Sequence, residues 1–300
     1  MVATGPAGPR RRLGAELRRL RTGAGLHLDA VAGQLGCSTS KISRLETGKG
    51  IPKAADVREL MRIYGVAADP EGEMLLRLVR ESRTEGWWES YTEGVRPEPF
   101  VLDAHARYTA FETEASGVRS FDPAVLHGLL QTPRYTRGLM EALLPDRSAL
   151  QIAQLVELRG RRQEALTRSE RPLELSVVLD EAVLNRRVGD AGVMREQLRA
   201  ILDLSELSSV QVQVLPFDVG IHRVHAGGFN ILEFAADEVP DVVYRETGGV
   251  GEYLENVSDV DLYKDAFTDV SGRALDPEAS RALIGRYLED PPSGKARLPP

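Results

Sequence analysis

Three groups of residues have the types and spacings that metal binding or catalysis uses. In the first, His222 and His225 are followed by Glu233 and Glu246, which together are side chains that zinc prefers. The two histidines lie in a Gly-flanked segment after a predicted strand, without the helical i, i+4 spacing that aligns a pair of ligands. We therefore interpret them as loop histidines and predict no metal site.

The other two groups also favour structural roles. Asp180 and Glu181, at the end of a predicted strand, are residue types that acid–base catalysis uses. We interpret Glu181 instead as a carboxylate that stabilises the N-terminus of the next helix. Residues 248–251, Gly-Gly-Val-Gly, lack the lysine and the following helix of a phosphate loop, so they indicate a hairpin turn. No Ser/His/Asp or Cys/His arrangement stands out in the sequence. The sequence thus predicts that the protein is not an enzyme and uses no cofactor.

Residues 26–48 indicate a different kind of chemistry. Apolar residues recur there every three to four positions, which gives each of two short segments one buried helical face, with Val31, Leu35, Ile42 and Leu45 on it. Gly36 lies where the first helix must end in a left-handed conformation, which costs glycine little. Ser38 is placed to cap the second helix. The pattern predicts a helix-turn-helix.

The second of these helices presents short polar side chains and cations on its outer side. Hydroxyl groups and one guanidinium are expected there, from Thr39, Ser40, Ser43 and Arg44. Such groups hydrogen-bond to base edges in the DNA major groove, so we expect them to read sequence. Lys41 and Lys49 are expected to contact phosphates instead.

The distribution of charge agrees with a DNA-binding segment at one end of the chain. The chain is acidic, with a net charge of −7, but its first 62 residues contain twelve Lys and Arg and only five Asp and Glu. The remaining 238 residues therefore carry all of the acidic excess, −14. One basic end on an acidic body is typical of a DNA-binding module joined to a regulatory domain.

Residues 12–64 resemble the DNA-binding domain of XRE-family regulators, which has a lambda-repressor-like fold. The matching segments are LRRLRTGAGL, AVAGQLG, SKISRLETGKGIP and DVRELMRIYGV. In this family an arginine of the first helix pairs with the glutamate that ends the recognition helix, which implies a structural pair between Arg21 and Glu46. The family often has a DNA-contacting glutamine at the start of the second helix, where this sequence has Leu28.

The length of 300 residues, 42% of them hydrophobic, suggests two domains. The sequence predicts a DNA-binding domain at residues 10–66, a helix with a linker at 67–99 and an α+β regulatory or dimerisation domain at 100–290. Flexible tails are predicted at 1–9 and 291–300. Arg10 and Arg11 are open to two interpretations, an arm that touches DNA or part of a mobile tail. The sequence contains a single cysteine and has neither an apolar run long enough for a membrane span nor the apolar core of a signal peptide. We therefore expect a cytoplasmic protein.

Beyond the first domain, helical and strand patterns are mixed. Helices are predicted at 70–83, 100–116, 133–144, 149–168, 181–187, 190–207, 257–270 and 276–289. Strands are predicted at 173–180, 210–216, 228–234, 241–247 and 251–255. Helices beside a cluster of strands indicate an α+β domain. Trp87 and Trp88, in the predicted linker, are interpreted as anchors to a neighbouring domain or subunit, with stacking on a ligand as the alternative.

This second region resembles the C-terminal domain of unknown function that is fused to helix-turn-helix modules in actinobacterial, WhiJ-like regulators. The matching segments are GLLQT, RRQEAL, LELSVVLDEAVL, VMREQL, VQVQVLPFDVGIH, GFNILEF and DVVYRE. The resemblance implies a transcription factor that is often encoded beside a small partner protein and is sometimes described as antitoxin-like. His127 stands where that family commonly has proline before Gly-Leu-Leu-Gln-Thr.

Two classes of function remain after these observations. The first is a sequence-specific regulator of transcription that binds double-stranded DNA as a homodimer, with a C-terminal domain that dimerises or binds a small-molecule effector or a partner. The second is an antitoxin-like interaction protein that binds a small partner polypeptide and regulates its own operon. A third class, an enzyme fused to a DNA-binding domain, would need a polar pocket with perturbed acids, which the sequence does not demand. No membrane partner is expected.

Overall fold

The computed structural model describes residues 7–48, 50–66, 70–83, 86–92, 106–235, 240–247 and 250–289. Contacts within it divide the chain into two compact units. The first contains the described residues up to Ser90, together with Thr109–Glu114, Phe234 and Ala235. The second contains the other described residues. None of the described helices combines the length and the apolar character that crossing a membrane requires.

The first unit is built from helices. They are α1 (Ala7–Gly23), α2 (Leu28–Leu35), α3 (Thr39–Glu46), α4 (Ala54–Tyr64), α5 (Pro70–Glu81) and the first two residues of the short α6 (Glu89–Thr92). Helices α1 to α5 share one core, in which the side chains of Leu13, Leu17, Val31, Ile42, Val57, Leu60 and Leu75 are almost fully buried. The apolar positions predicted at helical spacing therefore do form the buried face of the helix-turn-helix.

Helix α5 belongs to this core, although the sequence assigned residues 67–99 to a helix and a linker. Leu75, Leu78 and Val79 are buried in the same cluster as the residues of α1 to α4. Burial of each such side chain contributes about 1.5–3 kcal/mol. The N-terminal unit therefore extends past residue 66.

The start of α1 corrects the interpretation of Arg10 and Arg11 as a DNA-contacting arm or mobile tail. The helix begins at Ala7, so both residues are helical. Arg10 donates from Nε to the carbonyl oxygen of Ser82 at 2.9 Å, and Arg11 is buried. Both arginines are used within the first unit.

The second unit contains a six-stranded mixed sheet. Its strands are β1 (Gly117–Asp122), β2 (Glu174–Asp180), β3 (Val210–Leu215), β4 (Phe229–Glu233), β5 (Val242–Thr247) and β6 (Val250–Leu254), in the spatial order β3-β2-β1-β4-β5-β6. Strands β1, β2 and β3 run parallel, whereas β4, β5 and β6 continue the sheet from β1 as antiparallel neighbours. The predicted α+β class is confirmed.

The remaining helices are α7 (Ala106–Glu114), α8 (Pro133–Leu143), α9 (Ala149–Gln163), α10 (Glu181–Asn185), α11 (Ala191–Leu204), α12 (Val257–Arg273) and α13 (Pro277–Glu289). Thr132 and Ser148 cap α8 and α9, as predicted. Helix α9 ends before the predicted Arg168, because the chain tightens into a 3₁₀ turn at Glu164–Leu166. Residues 100–105 of the predicted helix at 100–116 lie outside the described residues.

Strand β1 was missed by the sequence analysis. Its sequence, Gly-Val-Arg-Ser-Phe-Asp, is half polar and has no regular alternation of polar and apolar residues, yet most of it is buried. One face packs on α12, where Phe121, Ile231 and Val243 of the sheet meet Phe267 and Val270. On the other face, the buried Ser120 and Asp122 hydrogen-bond to each other.

Candidate nucleic-acid interface

The turn between α2 and α3 has the geometry that the sequence predicts. Gly36 has a φ of 66°, in the left-handed region that closes α2. The Ser38 hydroxyl accepts a hydrogen bond from the backbone N–H of Lys41 at 3.3 Å and so caps α3. This turn holds α3 against α2 and leaves the N-terminal turn of α3 open to solvent.

Helix α3 has one buried and one exposed side. Ile42 and Leu45 are buried in the shared core. Thr39, Ser40 and Arg44 are exposed, and Ser43 is half-buried. Two hydroxyls and a guanidinium thus lie together on the outer side of an eight-residue helix, as hydrogen-bonding groups that a major groove can accommodate.

A buried ion pair holds the C-terminal end of α3. Arg21 of α1 donates from Nε to Glu46 Oε1 at 2.6 Å and from Nη2 to Glu46 Oε2 at 3.0 Å. A further bond runs from Arg21 Nη1 to the carbonyl oxygen of Leu26 at 2.8 Å. The side chains are only 11% and 5% exposed, and the hydrogen bonds to Glu46 raise the pKa of Arg21 above its ordinary value. One guanidinium thus connects α1, the loop before α2 and the end of α3.

Close packing of α1 against the same end of α3 depends on Gly14. A Cβ atom at this position would lie 2.5 Å from the carbonyl oxygen of Glu46 and 2.7 Å from that of Leu45. Both neighbours are backbone atoms, so a larger side chain would push the two helices apart. Gly14 cannot be recognised as a contact position from the sequence, since a glycine within a helix gives no sign of which backbone approaches it.

Tyr64, the last residue of α4, lies beside this ion pair. Its hydroxyl is buried and has no hydrogen-bond partner among the described residues. Burial, with a smaller effect from the negative charge of Glu46, raises the pKa of Tyr64 to about 12. The region around Glu46 therefore favours a neutral tyrosine.

The other residues expected at the DNA surface differ in their surroundings. Lys41 forms an ion pair with Asp56 of α4, with 2.8 Å between Nζ and Oδ2, so a phosphate would have to compete with this carboxylate. Leu28, at the position where the glutamine was expected, packs against the core. Lys49 lies outside the described residues. Asp56 was missed by the sequence analysis, although its place in the first turn of α4 was readable.

The residues considered for metal binding or catalysis are engaged in other contacts. His225 Nδ1 lies 3.1 Å from the carbonyl oxygen of His222, within the loop between β3 and β4. Glu233 pairs with Arg119, with 2.9 Å between Oε1 and Nη2, and Glu246 accepts a hydrogen bond from Tyr244. No group of three or more His, Cys, Asp or Glu side chains within the described part of the chain could hold a metal ion.

Asp180 and Glu181 also have structural roles. The Asp180 side chain accepts a hydrogen bond from the N–H of Ala182 at 2.8 Å and caps α10. Glu181 accepts hydrogen bonds from the N–H of Phe217 and the hydroxyl of Tyr287. The glycines at 248–249 lie outside the described residues, and the strands on either side of them pair antiparallel.

Comparison with protein families agrees with this division of the chain. Residues 12–74 match the family model described as a helix-turn-helix domain, which ends within α5. Residues 105–286 match the family described as a domain of unknown function, DUF5753, and the chain belongs to this family. No curated protein matches the chain. The predicted combination of a helix-turn-helix module with a C-terminal domain of unknown function is confirmed, and it identifies a DNA-binding regulator.

Proposed function

We propose that the protein is a sequence-specific regulator of transcription that inserts α3 into the major groove of DNA. The observation that carries this proposal is the exposed polar side of α3 on a helix whose two ends are both fixed. Ser38 caps one end, and Arg21 with Glu46 holds the other. A recognition surface needs such fixing, because base contacts depend on the placement of individual side chains.

The residues divide into two proposed roles. Thr39, Ser40, Ser43 and Arg44 read bases, with Arg44 donating to the acceptor atoms of a guanine. Lys41 and Lys49 contact phosphates, and Lys41 does so at the expense of its pair with Asp56. Arg21 and Glu46 act within the protein and do not contact DNA.

We further propose that the protein acts as a homodimer and that the C-terminal unit mediates dimerisation and the binding of an effector or a partner. One helix-turn-helix makes few base contacts, and two recognition helices must meet grooves about 34 Å apart for tight specific binding. The protein would then be a regulator and not an enzyme. The antitoxin-like alternative is tested by recovery of the full chain from its own cells: stoichiometric recovery of a small partner polypeptide in place of DNA would favour it.

The test is a binding site selected from random DNA, with affinities then measured by fluorescence anisotropy. We expect Arg44→Ala to lose about 1–3 kcal/mol on the selected site and little on random DNA. Arg62→Ala is the matched control, since Arg62 is an exposed arginine of α4 that pairs with Glu59. Lys49→Ala should weaken binding to both DNAs equally.

Equal losses on selected and random DNA for Arg44→Ala would contradict its role in reading sequence. Failure of the full chain to enrich any sequence would contradict the proposal as a whole.

A further inference from the structure

The second unit contains a cavity of about 210 Å³ beside the end of β1. Its wall is formed by residues 122–128, by α8 and by adjoining residues of β4 and β5. At β1 the sheet changes direction, because β2 is its parallel neighbour and β4 its antiparallel neighbour. Ligands commonly bind beside the carboxyl ends of parallel strands where the strand arrangement changes.

Most of the cavity wall is apolar. Leu126, Leu139, Met140 and Phe229 line it and are buried. Leu143 also lines it but is 36% exposed, so it lies where the cavity meets solvent. A dry apolar cavity of about 150 Å³ is large enough for benzene. The present cavity therefore suits a molecule of roughly ten non-hydrogen atoms.

The polar side chain of Asn230 lies in this wall and has an unused atom. Asn230 of β4 is 9% exposed, and its Oδ1 has no hydrogen-bond partner among the described residues. In register it lies between Ser120 of β1 and Tyr244 of β5, whose hydroxyls donate elsewhere, to Asp122 and Glu246. A buried acceptor without a donor is unfavourable and uncommon. A ligand in the cavity would supply the missing donor.

The charged side chains of the wall do not favour a charged ligand. Asp122 accepts a hydrogen bond from Ser120 at 2.6 Å, and Arg159 donates to Gln131 Oε1 at 2.6 Å. The wall also contains Arg245, which pairs with Glu252, and Glu246, which accepts a hydrogen bond from Tyr244. Two cations and two carboxylates therefore leave neither sign in excess. The cavity therefore favours a neutral molecule.

We propose that this cavity binds a small, neutral, mainly apolar molecule that donates one hydrogen bond, from a hydroxyl or a ring N–H, to Asn230 Oδ1. The regulatory meaning of the site rests on the proposed function, in which an effector acts through the C-terminal unit. The binding itself does not depend on that function.

The test compares two probes, indole and benzofuran, on the full chain. Their fused rings have nearly the same size and shape, but only indole has a donor N–H. Isothermal titration calorimetry should give indole a Kd of about 0.1–1 mM, a typical range for so small a ligand. Benzofuran should bind roughly tenfold more weakly, because it cannot donate to Asn230.

Two variants assign this binding to the cavity. Asn230→Leu removes the acceptor at similar volume, so indole should lose about tenfold in affinity and become equal to benzofuran. Leu143→Trp narrows the opening and should weaken both probes more than about tenfold. Leu262→Trp is the matched control, since Leu262 is an exposed leucine of α12 outside the cavity wall, and should change neither affinity. Thermal melting shows that each variant is folded.

Three results would overturn the proposal: no binding of indole to the unaltered chain, a preference for indole that persists in Asn230→Leu, or unchanged indole binding in Leu143→Trp. DNA binding of the same preparations, measured without probe, separates this proposal from the proposed function. Intact DNA binding without probe binding contradicts the cavity proposal alone. Probe binding in a chain that binds no DNA supports the cavity site and contradicts the function.

Discussion

At the scale of single residues, the buried pair between Arg21 and Glu46 joins α1 to the end of α3. Its two side chains are 11% and 5% exposed, and removal of one partner leaves the other charge buried. We expect Glu46→Ala to destabilise the first unit by about 2–4 kcal/mol. Both tryptophans of the chain, Trp87 and Trp88, lie in this unit, so their fluorescence during urea unfolding measures the loss.

The matched control for this prediction is Glu59→Ala, which removes a glutamate that also pairs with an arginine, at the surface of α4. An exposed pair contributes little, so no measurable change in the urea midpoint is expected. Equal effects of the two substitutions would show that the Arg21–Glu46 pair has no special structural role.

Tyr64 gives the same region a defined dependence on pH. In the folded chain its pKa is raised to about 12 from the model-peptide value of about 10, so the unfolded state loses its proton first as the pH rises. The stability contribution is complete below about pH 10 and falls between about pH 10 and pH 12. Between pH 8 and pH 11 the unaltered chain should lose about 1 kcal/mol of stability because Tyr64 titrates, and Tyr64→Phe should not show this loss. Urea unfolding at both pH values checks this; identical pH profiles would contradict it.

At the scale of elements, α5 decides the size of the DNA-binding unit. A fragment of residues 1–66 lacks Leu75, Leu78 and Val79, each of which contributes about 1.5–3 kcal/mol of buried apolar surface. The total is comparable to the stability of a small domain, so we expect this fragment to be largely unfolded at 25 °C. A fragment of residues 1–90 should fold, because it contains all the buried residues of the shared core, from Leu13 to Val79. Circular dichroism melts of the two fragments test this, and a cooperative melt of the shorter one at the same temperature would show that α5 is dispensable.

The packing of α5 also affects the expected position of the dimer contact. From the sequence, the apolar helices predicted at 70–83 and 100–116 are the first candidates for a dimer contact, because the N-terminal 65 residues have little apolar surface to spare. Leu75, Leu78 and Val79 are buried within their own unit, and Tyr108 and Phe111 of α7 are buried as well. These side chains are already used within one chain, so the basis for choosing these helices as the dimer contact is removed.

At the scale of the whole molecule, the proposed dimer should be visible in the dependence of DNA binding on salt. Each phosphate contact releases counterions, so the slope of log affinity against log salt concentration grows with the number of contacts. If the C-terminal unit dimerises the protein, the full chain should show about twice the slope of the fragment 1–90. Fluorescence anisotropy gives the slopes, and sedimentation velocity gives the mass of each species. A fragment that is dimeric and binds with full affinity would move the dimer contact into the first unit.

The sequence alone determined those features that depend on neighbouring residues. Local backbone and spacing rules predict the turn at Gly36 and Ser38, the caps at Thr132 and Ser148 and the buried face of α3. The structure has these features as predicted. The α+β class was also predictable, because most of its strands and helices have clear periodicity.

Only the tertiary structure decided which distant segments meet. Packing between helices brings α3 close to Gly14, pairs Lys41 with Asp56 and places α5 in the core. No local sequence pattern encodes this packing. Strand β1 escaped detection because its polar residues satisfy one another inside the sheet, where Ser120 bonds to Asp122. The cavity at Asn230 exists because β1, β4, β5 and α8 meet there, so its unused oxygen could be recognised only once those elements were placed.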